Sequence, residues 1–369
     1  MPLIPLALTD RYERREPWPV PNRPGESGYT IVELMVAITI GLLILTALIA
    51  ILVQSIQARA EVERGAQQIE NGRYAMQLLT DDLRNAGYLA AFDPTPLATP
   101  ATKPDPCAVD LATLRTALPL AVQGYDNGTG APGCVSDLRA GTDIVVVRRA
   151  STCAVGAAGC DGAVAGAPYF QASACGSATE LSSADVANYY ALDTNTASLT
   201  RHQKDCNPPG TPGTLAPYYQ YRTHVYFVAN NDKPGDGIPT LKRAELGASL
   251  FTIKPLVQGI ENLQIEYGIE TGATLTGTPS VFTADPDSYS ACAVVDCARY
   301  WRNTVAARVS IVARNTTRSA GVSSDPKTYV LGLNFNGTSN TVGPFTDGYK
   351  RHVYTSSVRL NNVSGRNAQ

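Results

Sequence analysis

Charge is in short supply in this 369-residue chain: Asp, Glu, Lys and Arg make up 17% of it and nearly cancel, to a net -2. No basic field of the kind that holds nucleic acid arises from such a balance. Histidine is scarcer still. His202, His224 and His352 stand far apart, and neither H-E-x-x-H nor G-x-S-x-G occurs, so an enzyme reading has little to rest on. The cysteines include no C-x-x-C, and no histidine lies at ligand spacing from a cysteine pair, which argues against zinc. No fixed-period repeat is visible. Two absences are local: no proline between Tyr29 and Ala86, and no charge between Leu34 and Val53. The first permits an uninterrupted helix, and the second permits part of that helix to lie in hydrocarbon.

What is present begins with Gly28-Tyr29-Thr30-Ile31-Val32-Glu33, followed at once by the apolar run Leu34 to Val53. Those 20 residues cover about 30 Å as a helix, the hydrocarbon thickness of a bilayer. Thr39 and Thr46 are the only polar side chains in the run, and hydroxyls can bond back to their own helix carbonyls. Glu33 is the anomaly, a carboxylate at the edge of a spanning segment, where a charge calls for a partner. Cutting the peptide bond after Gly28 supplies one, because Tyr29 then carries a free amino group one helical turn from Glu33, and a neighbouring copy offers the same group. A secretory signal would end a shorter apolar core with a small-x-small cut site. Here the glycine precedes the core.

All eight cysteines, Cys107, Cys134, Cys153, Cys160, Cys175, Cys206, Cys292 and Cys297, follow the membrane segment. An even number confined to an exported region reads as disulfides made in an oxidising compartment. Short separations suggest Cys153 with Cys160 and Cys292 with Cys297, leaving Cys107, Cys134, Cys175 and Cys206 for two more pairs of open connectivity. Residues 1–28 mix both charges with several prolines and read as a cytoplasmic leader without a packed core. No Met lies between Met1 and Met35, and a start at a non-AUG codon such as Val20 would give a shorter leader with Arg23 near its beginning.

The helix is expected to run to about Ala86, with Gly87 as its stop. Its second half sets Ile56, Val62, Ala66, Ile69, Met76, Leu79 and Leu83 near three-to-four spacing, with Arg59, Glu61, Glu63, Arg64, Asp81, Asp82 and Arg84 among them, an amphipathic pattern. Gly41, Gly65 and Gly72 each lower local helix stability by about 1 kcal/mol against Ala; they read as tolerated glycines or as places of close packing. Strands are expected over 143–149, 218–229, 264–269, 304–312 and 353–360, forming a sheet against the amphipathic half. Turn-rich pieces include 231–237 and 271–290.

In the first of these, and just before it, Asn230, Asn231, Asp232 and Asp236 offer oxygens to a hard cation, and Asp232 and Asp236 are weak calcium candidates. A plain turn of Asn, Asp, Pro and Gly accounts for the stretch as well. Gly128-Thr129-Gly130-Ala131-Pro132-Gly133 satisfies G-x-G-x-x-G but follows no convincing strand and holds a proline, a chance match in a chain of 31 glycines. The tyrosines Tyr189-Tyr190 and Tyr218-Tyr219-Gln220-Tyr221 fit either strand packing or a partner surface.

The stretch from Gly28 to Glu33, set before about 20 apolar residues, resembles the processing site of type IV prepilins and of type II secretion pseudopilins, with Tyr29 where Phe is more usual. Later blocks, Leu79 to Tyr88, Thr142 to Arg149, Val257 to Gly268, Trp301 to Arg314 and Tyr349 to Asn361, are similar to PilW-type minor pilins; 90–139 and 150–217 match little. The resemblance implies an α+β, pilin-like fold: a long N-terminal helix on a large antiparallel β-rich head with disulfides. Its parts are a leader over 1–28 that is removed, a transmembrane and filament-core helix over 29–53, the amphipathic half over 54–86, and a periplasmic head over 87–369. It implies cleavage between Gly28 and Tyr29 by a prepilin peptidase, N-methylation of Tyr29, and Glu33 as the charge that aligns neighbouring helices. The implied role is a non-catalytic minor pilin in a tip complex that helps initiate type IV pilus assembly, without cofactor or direct nucleic-acid contact. Implied partners are the inner membrane, other minor pilins and the major pilin, with a tip adhesin as a further candidate. The protein then sits in the bacterial inner membrane with its head in the periplasm, and at the pilus tip after assembly. The alternatives are a J-type pseudopilin of type II secretion and, from another class, a single-span anchored periplasmic binding or enzyme domain.

Overall fold

A computed structural model describes residues 28–206, 213–292, 294–334 and 336–368; the expected leader, apart from Gly28, and the suggested start at Val20 lie outside them. The chain divides into two units, 1–57 and 58–369. One helix, α1 (Ile31–Arg84), runs through the division.

In the first unit every described residue from Gly28 to Gln57 is exposed. Thr39 Oγ1 donates to the Val36 carbonyl at 2.9 Å, and Thr46 Oγ1 to those of Leu42 and Leu43 at 3.0 and 2.9 Å. The hydroxyls are therefore satisfied within the helix, and the surface of the apolar run is hydrocarbon. Among the described residues α1 is the one helix long and apolar enough to cross a membrane.

The second unit adds α2 (Leu111–Ala117), β1 (Val122–Tyr125), β2 (Ile144–Ala150), β3 (Tyr169–Ala172), β4 (Tyr190–Asp193), β5 (Tyr218–Ala229), β6 (Thr240–Leu246) and β7 (Phe251–Gln258). It continues with β8 (Ile260–Ile269), β9 (Val281–Thr283), α3 (Val294–Arg302), β10 (Thr304–Arg314), β11 (Tyr329–Leu333), β12 (Ser339–Val342), β13 (Arg351–Arg359) and α4 (Asn361–Asn367). All these strand pairs are antiparallel. The long β5 organises a seven-stranded sheet: β2 and then β1 lie on one side, while its two halves carry β3 with β4 and β6 with β7 on the other. A four-stranded sheet follows in the order β13, β10, β8, β9, and β11 pairs with β12.

The expected single sheet is thus three. The five anticipated strands all occur, with β8 and β10 longer than expected, and β9 falls inside the piece read as turns. Strands β1, β3 and β4 have four residues each, too few for an alternation to register in sequence.

Within the second unit, the end of α1 packs on both large sheets. Ala75, Leu79, Leu83 and Ala86 share one core with Val145, Val147, Tyr226 and Val228 of the first sheet and Leu263, Ile265, Val309 and Ile311 of the second. The stripe read from the sequence needs correction. Ile56, Val62 and Ile69 are exposed, whereas the buried helix residues are Gln68, Gly72, Ala75, Leu79, Thr80, Asp82 and Leu83. Leu79 and Leu83 of the expected stripe are buried, but before them small and hydrogen-bonding residues, Gln68, Gly72 and Ala75, face the head in place of Val62 and Ile69. The helix ends at Arg84, two residues early, and Gly87 follows with φ +71°, the left-handed conformation of a stop. Gly72 is a place of close packing: a Cβ there would overlap the Tyr354 ring of β13, while Gly41 and Gly65 face open space.

Four disulfides close the head: Cys107 with Cys134, Cys153 with Cys160, Cys175 with Cys206, and Cys292 with Cys297. The two short staples are those the separations suggest, and the remaining four cysteines pair with their neighbours in sequence. The first lies within 90–139 and the next two within 150–217, the stretches that match little in the resemblance.

Candidate functional site

The residues that set this chain apart gather at the N-terminal end of α1 and at the seat of its other end in the head. At the first, Gly28 and Tyr29 precede the helix, with Tyr29 87% exposed. Thr30 caps it: its Oγ1 accepts the Glu33 N–H at 3.2 Å, and its carbonyl accepts the Leu34 N–H at 3.1 Å. Thr-x-x-Glu is the order of a capping box, a local signal that hydrophobic periodicity does not use. Glu33 therefore lies in the first turn, where unpaired amides and the helix dipole favour an anion. That eases the carboxylate without neutralising it, and among the described residues no cation pairs with it.

At the second place the helix is held by charge as well as by apolar contact. Asp82, 6% exposed, accepts hydrogen bonds from Arg149 Nε at 2.6 Å, His224 Nδ1 at 2.6 Å and Tyr226 Oη at 2.8 Å. Strand alternation brings these donors to one face, since Arg149 pairs with Arg222 across β2 and β5, and His224 and Tyr226 follow on β5 at intervals of two. Burial opposes the ionised form of Asp82, but the His224 hydrogen bond and the Arg149 guanidinium outweigh it and hold the carboxyl well below the usual carboxylate range. Burial also depresses His224, which Asp82 only partly counters, so the imidazole is a neutral donor. Arg243 then reaches Tyr226 Oη at 3.1 Å and pairs with Glu245. Nearer the start of this unit, Gln68 Nε2 donates to the carbonyls of Ala313 and Lys350 at 2.7 and 2.8 Å. Glu61 takes Lys350 Nζ at 3.0 Å and the Ala320 N–H at 3.2 Å.

The histidines do not converge. His224 serves the Asp82 cluster, His202 binds Glu180 Oε1 at 2.6 Å, and His352 stacks edge-on against Tyr354. The calcium candidates are engaged within the protein: Asp236 accepts the N–H groups of Asp232, Lys233 and Ile238 in its own turn, and Asp232 Oδ2 accepts Gln258 Nε2 from the end of β7. Among the described residues no three His, Cys, Asp or Glu side chains gather as a metal would need. The G-x-G-x-x-G stretch does follow a strand, β1, two residues before it, but it begins on the last residue of a 3-10 turn, Asp126–Gly128, and runs on as a loop to β2 without opening a helix. Of the two tyrosine clusters, Tyr221 is buried, Tyr190 stacks on Phe170, and Tyr219 meets Tyr88 edge-on, so most of this aromatic surface is internal.

Residues 225–362 match the family model of the type IV pilus-assembly protein W, and residues 23–49 match that of the prokaryotic N-terminal methylation motif. No curated protein matches the chain. Among solved structures it is similar to a type IV-like pilin from Thermus thermophilus, at 12% identity and a TM-score of 0.33, over 80% of this chain and 97% of that one.

Proposed function

We propose that this chain, a PilW-type type IV pilin by its methylation motif and its 225–362 segment, works as a low-abundance subunit of a tip complex that helps to start pilus assembly. In this reading a prepilin peptidase cuts between Gly28 and Tyr29, the new terminus is N-methylated, and the apolar part of α1 leaves the inner membrane for the filament core. The head stays in the periplasm until the fibre emerges with it at the tip. Its partners are other minor pilins and the major pilin, and its action is association, with no bond made or broken by the protein itself.

The observation that carries the reading is the Glu33 carboxylate, in the first turn of an uncharged and wholly exposed apolar segment, four residues from Tyr29. Within lipid, apolar side chains gain little by meeting each other, so they do not fix axial register. One ion pair between Glu33 and the terminal amine of its own or a neighbouring chain does. Glu33→Ala is expected to leave cleavage intact and to reduce incorporation into sheared filaments, while Gly28 replaced by Leu leaves the leader attached. Mass analysis of the N-terminus in whole cells and in sheared fibres reads both outcomes. Normal fibres that contain either variant would end the proposal.

A further inference from the structure

The two faces of the central strands differ. Val145, Val147, Tyr226 and Val228 pack with α1, whereas Ile144, Val146, Val225 and Phe227 form a separate apolar cluster on the opposite face. Ala150, Phe170 and Tyr221 belong to a further cluster beside it. Alternation along β2 and β5 sets Arg148, Thr223 and Tyr221 on this second face, at the boundary of the two clusters. Arg148 is 3% exposed. Its Nη2 donates to Gln123 Oε1 at 2.8 Å and its Nη1 to the Leu120 carbonyl at 3.4 Å, both neutral acceptors. Among the described residues it has no ion pair, and Asp105, whose charge acts on it from a distance, is exposed.

Directly opposite Arg148 in the ladder stands Thr223, and Tyr221 lies two residues before it on β5. Such neighbours on one face have Cβ atoms about 5 Å and about 7 to 8 Å apart, and Tyr221 and the Arg148 guanidinium act on each other electrostatically. Both hydroxyls are buried, and among the described residues neither Thr223 Oγ1 nor Tyr221 Oη has a hydrogen-bond partner. A buried cation with no counter-charge is among the costlier arrangements a core can hold, and each unpaired buried hydroxyl adds to it. All three groups can donate. What they lack in common is an acceptor that carries negative charge.

We propose that Arg148, Thr223 and Tyr221 form a binding site for one small inorganic anion of halide size, chloride in ordinary salt. The guanidinium supplies the charge, and the two hydroxyls donate to the ion. Water would satisfy the hydroxyls but leave the charge uncompensated. Apolar clusters flank the three groups on the sheet, and a single-atom anion asks for the least room between them.

The test uses the full chain in detergent, melted at constant ionic strength in sodium chloride, bromide or gluconate. A saturable rise in melting temperature with chloride and bromide, absent in gluconate, is expected for the natural protein. Removing both hydroxyls, in Tyr221→Phe with Thr223→Val, should weaken the apparent halide affinity at least about tenfold, and Arg148→Met should abolish the halide response. Should those variants fail to fold, bromide-soaked crystals of the natural protein decide by anomalous scattering, with a peak expected between the three side chains. Equal melting in chloride and gluconate, or an anomalous map without that peak, overturns the site.

Discussion

Replacing Asp82 tests how the helix is seated. Its carboxylate is 6% exposed and accepts three hydrogen bonds, of which Arg149 contributes a charge. Asp82→Ala strands that guanidinium, the His224 N–H and the Tyr226 hydroxyl in a buried place, and breaking a buried pair from one side typically costs about 3 to 5 kcal/mol. A large domain loses roughly 2 to 4 °C of melting temperature per kcal/mol, so thermal unfolding of the detergent-solubilised chain should fall by about 6 to 20 °C. The neighbouring Asp81, half exposed and paired only with Arg84, is the control: Asp81→Ala should cost less than about 1 kcal/mol. The same cluster sets an acid limit. Because the folded Asp82 titrates below its unfolded value, its contribution is complete above the usual carboxylate range and is lost as pH falls through the folded value. His224 adds to this from higher pH: held neutral by burial, it takes up its proton in the unfolded chain first, so stability begins to fall as pH drops below about 6.5. His224→Gln should flatten the upper part of that curve and leave the lower part. An Asp82→Ala protein that melts within about 2 °C of the natural one would refute the reasoning.

The glycines of α1 should separate by site. Gly65→Ala, with open space around it, should raise stability by about 0.5 to 1 kcal/mol. Gly72→Ala drives a methyl into the Tyr354 ring, which cancels that gain and costs about 1 to 3 kcal/mol; adding Tyr354→Ala should restore the benefit, as read by a double-mutant cycle in denaturant. Among the disulfides, Cys175 to Cys206 spans 31 residues and Cys292 to Cys297 spans 5. Serine pairs at the first should lower stability by about 3 to 4 kcal/mol and at the second by clearly less, and equal losses in denaturant melts would show that loop length is not what matters.

The parts of this molecule that can be read in sequence are those where one chemical requirement extends over many residues. An apolar run of bilayer length leaves little choice of structure, and the 12-residue β5 shows its aromatic and β-branched character throughout. The seat of α1 is not legible, for a definite reason. Periodicity assigns the largest apolar residues to the core, yet Val62 and Ile69 are 74% and 51% exposed while Gln68, Thr80 and Asp82 are buried. Gln68 and Asp82 find their partners on strands and loops far away in sequence: Ala313 and Lys350 for Gln68, and Arg149, His224 and Tyr226 for Asp82. A single helix cannot announce such partners, so an acid beside a leucine reads as surface. The Thr30 cap on the Glu33 N–H is the opposite case, a signal wholly local and masked because a lone charge beside a membrane segment draws a different explanation. The two explanations are complementary. A helix N-terminus favours an anion through its free amides and dipole, which makes the carboxylate tolerable at the membrane edge but does not specify a neighbour, and in the proposed filament that second task falls to the amine that cleavage after Gly28 exposes.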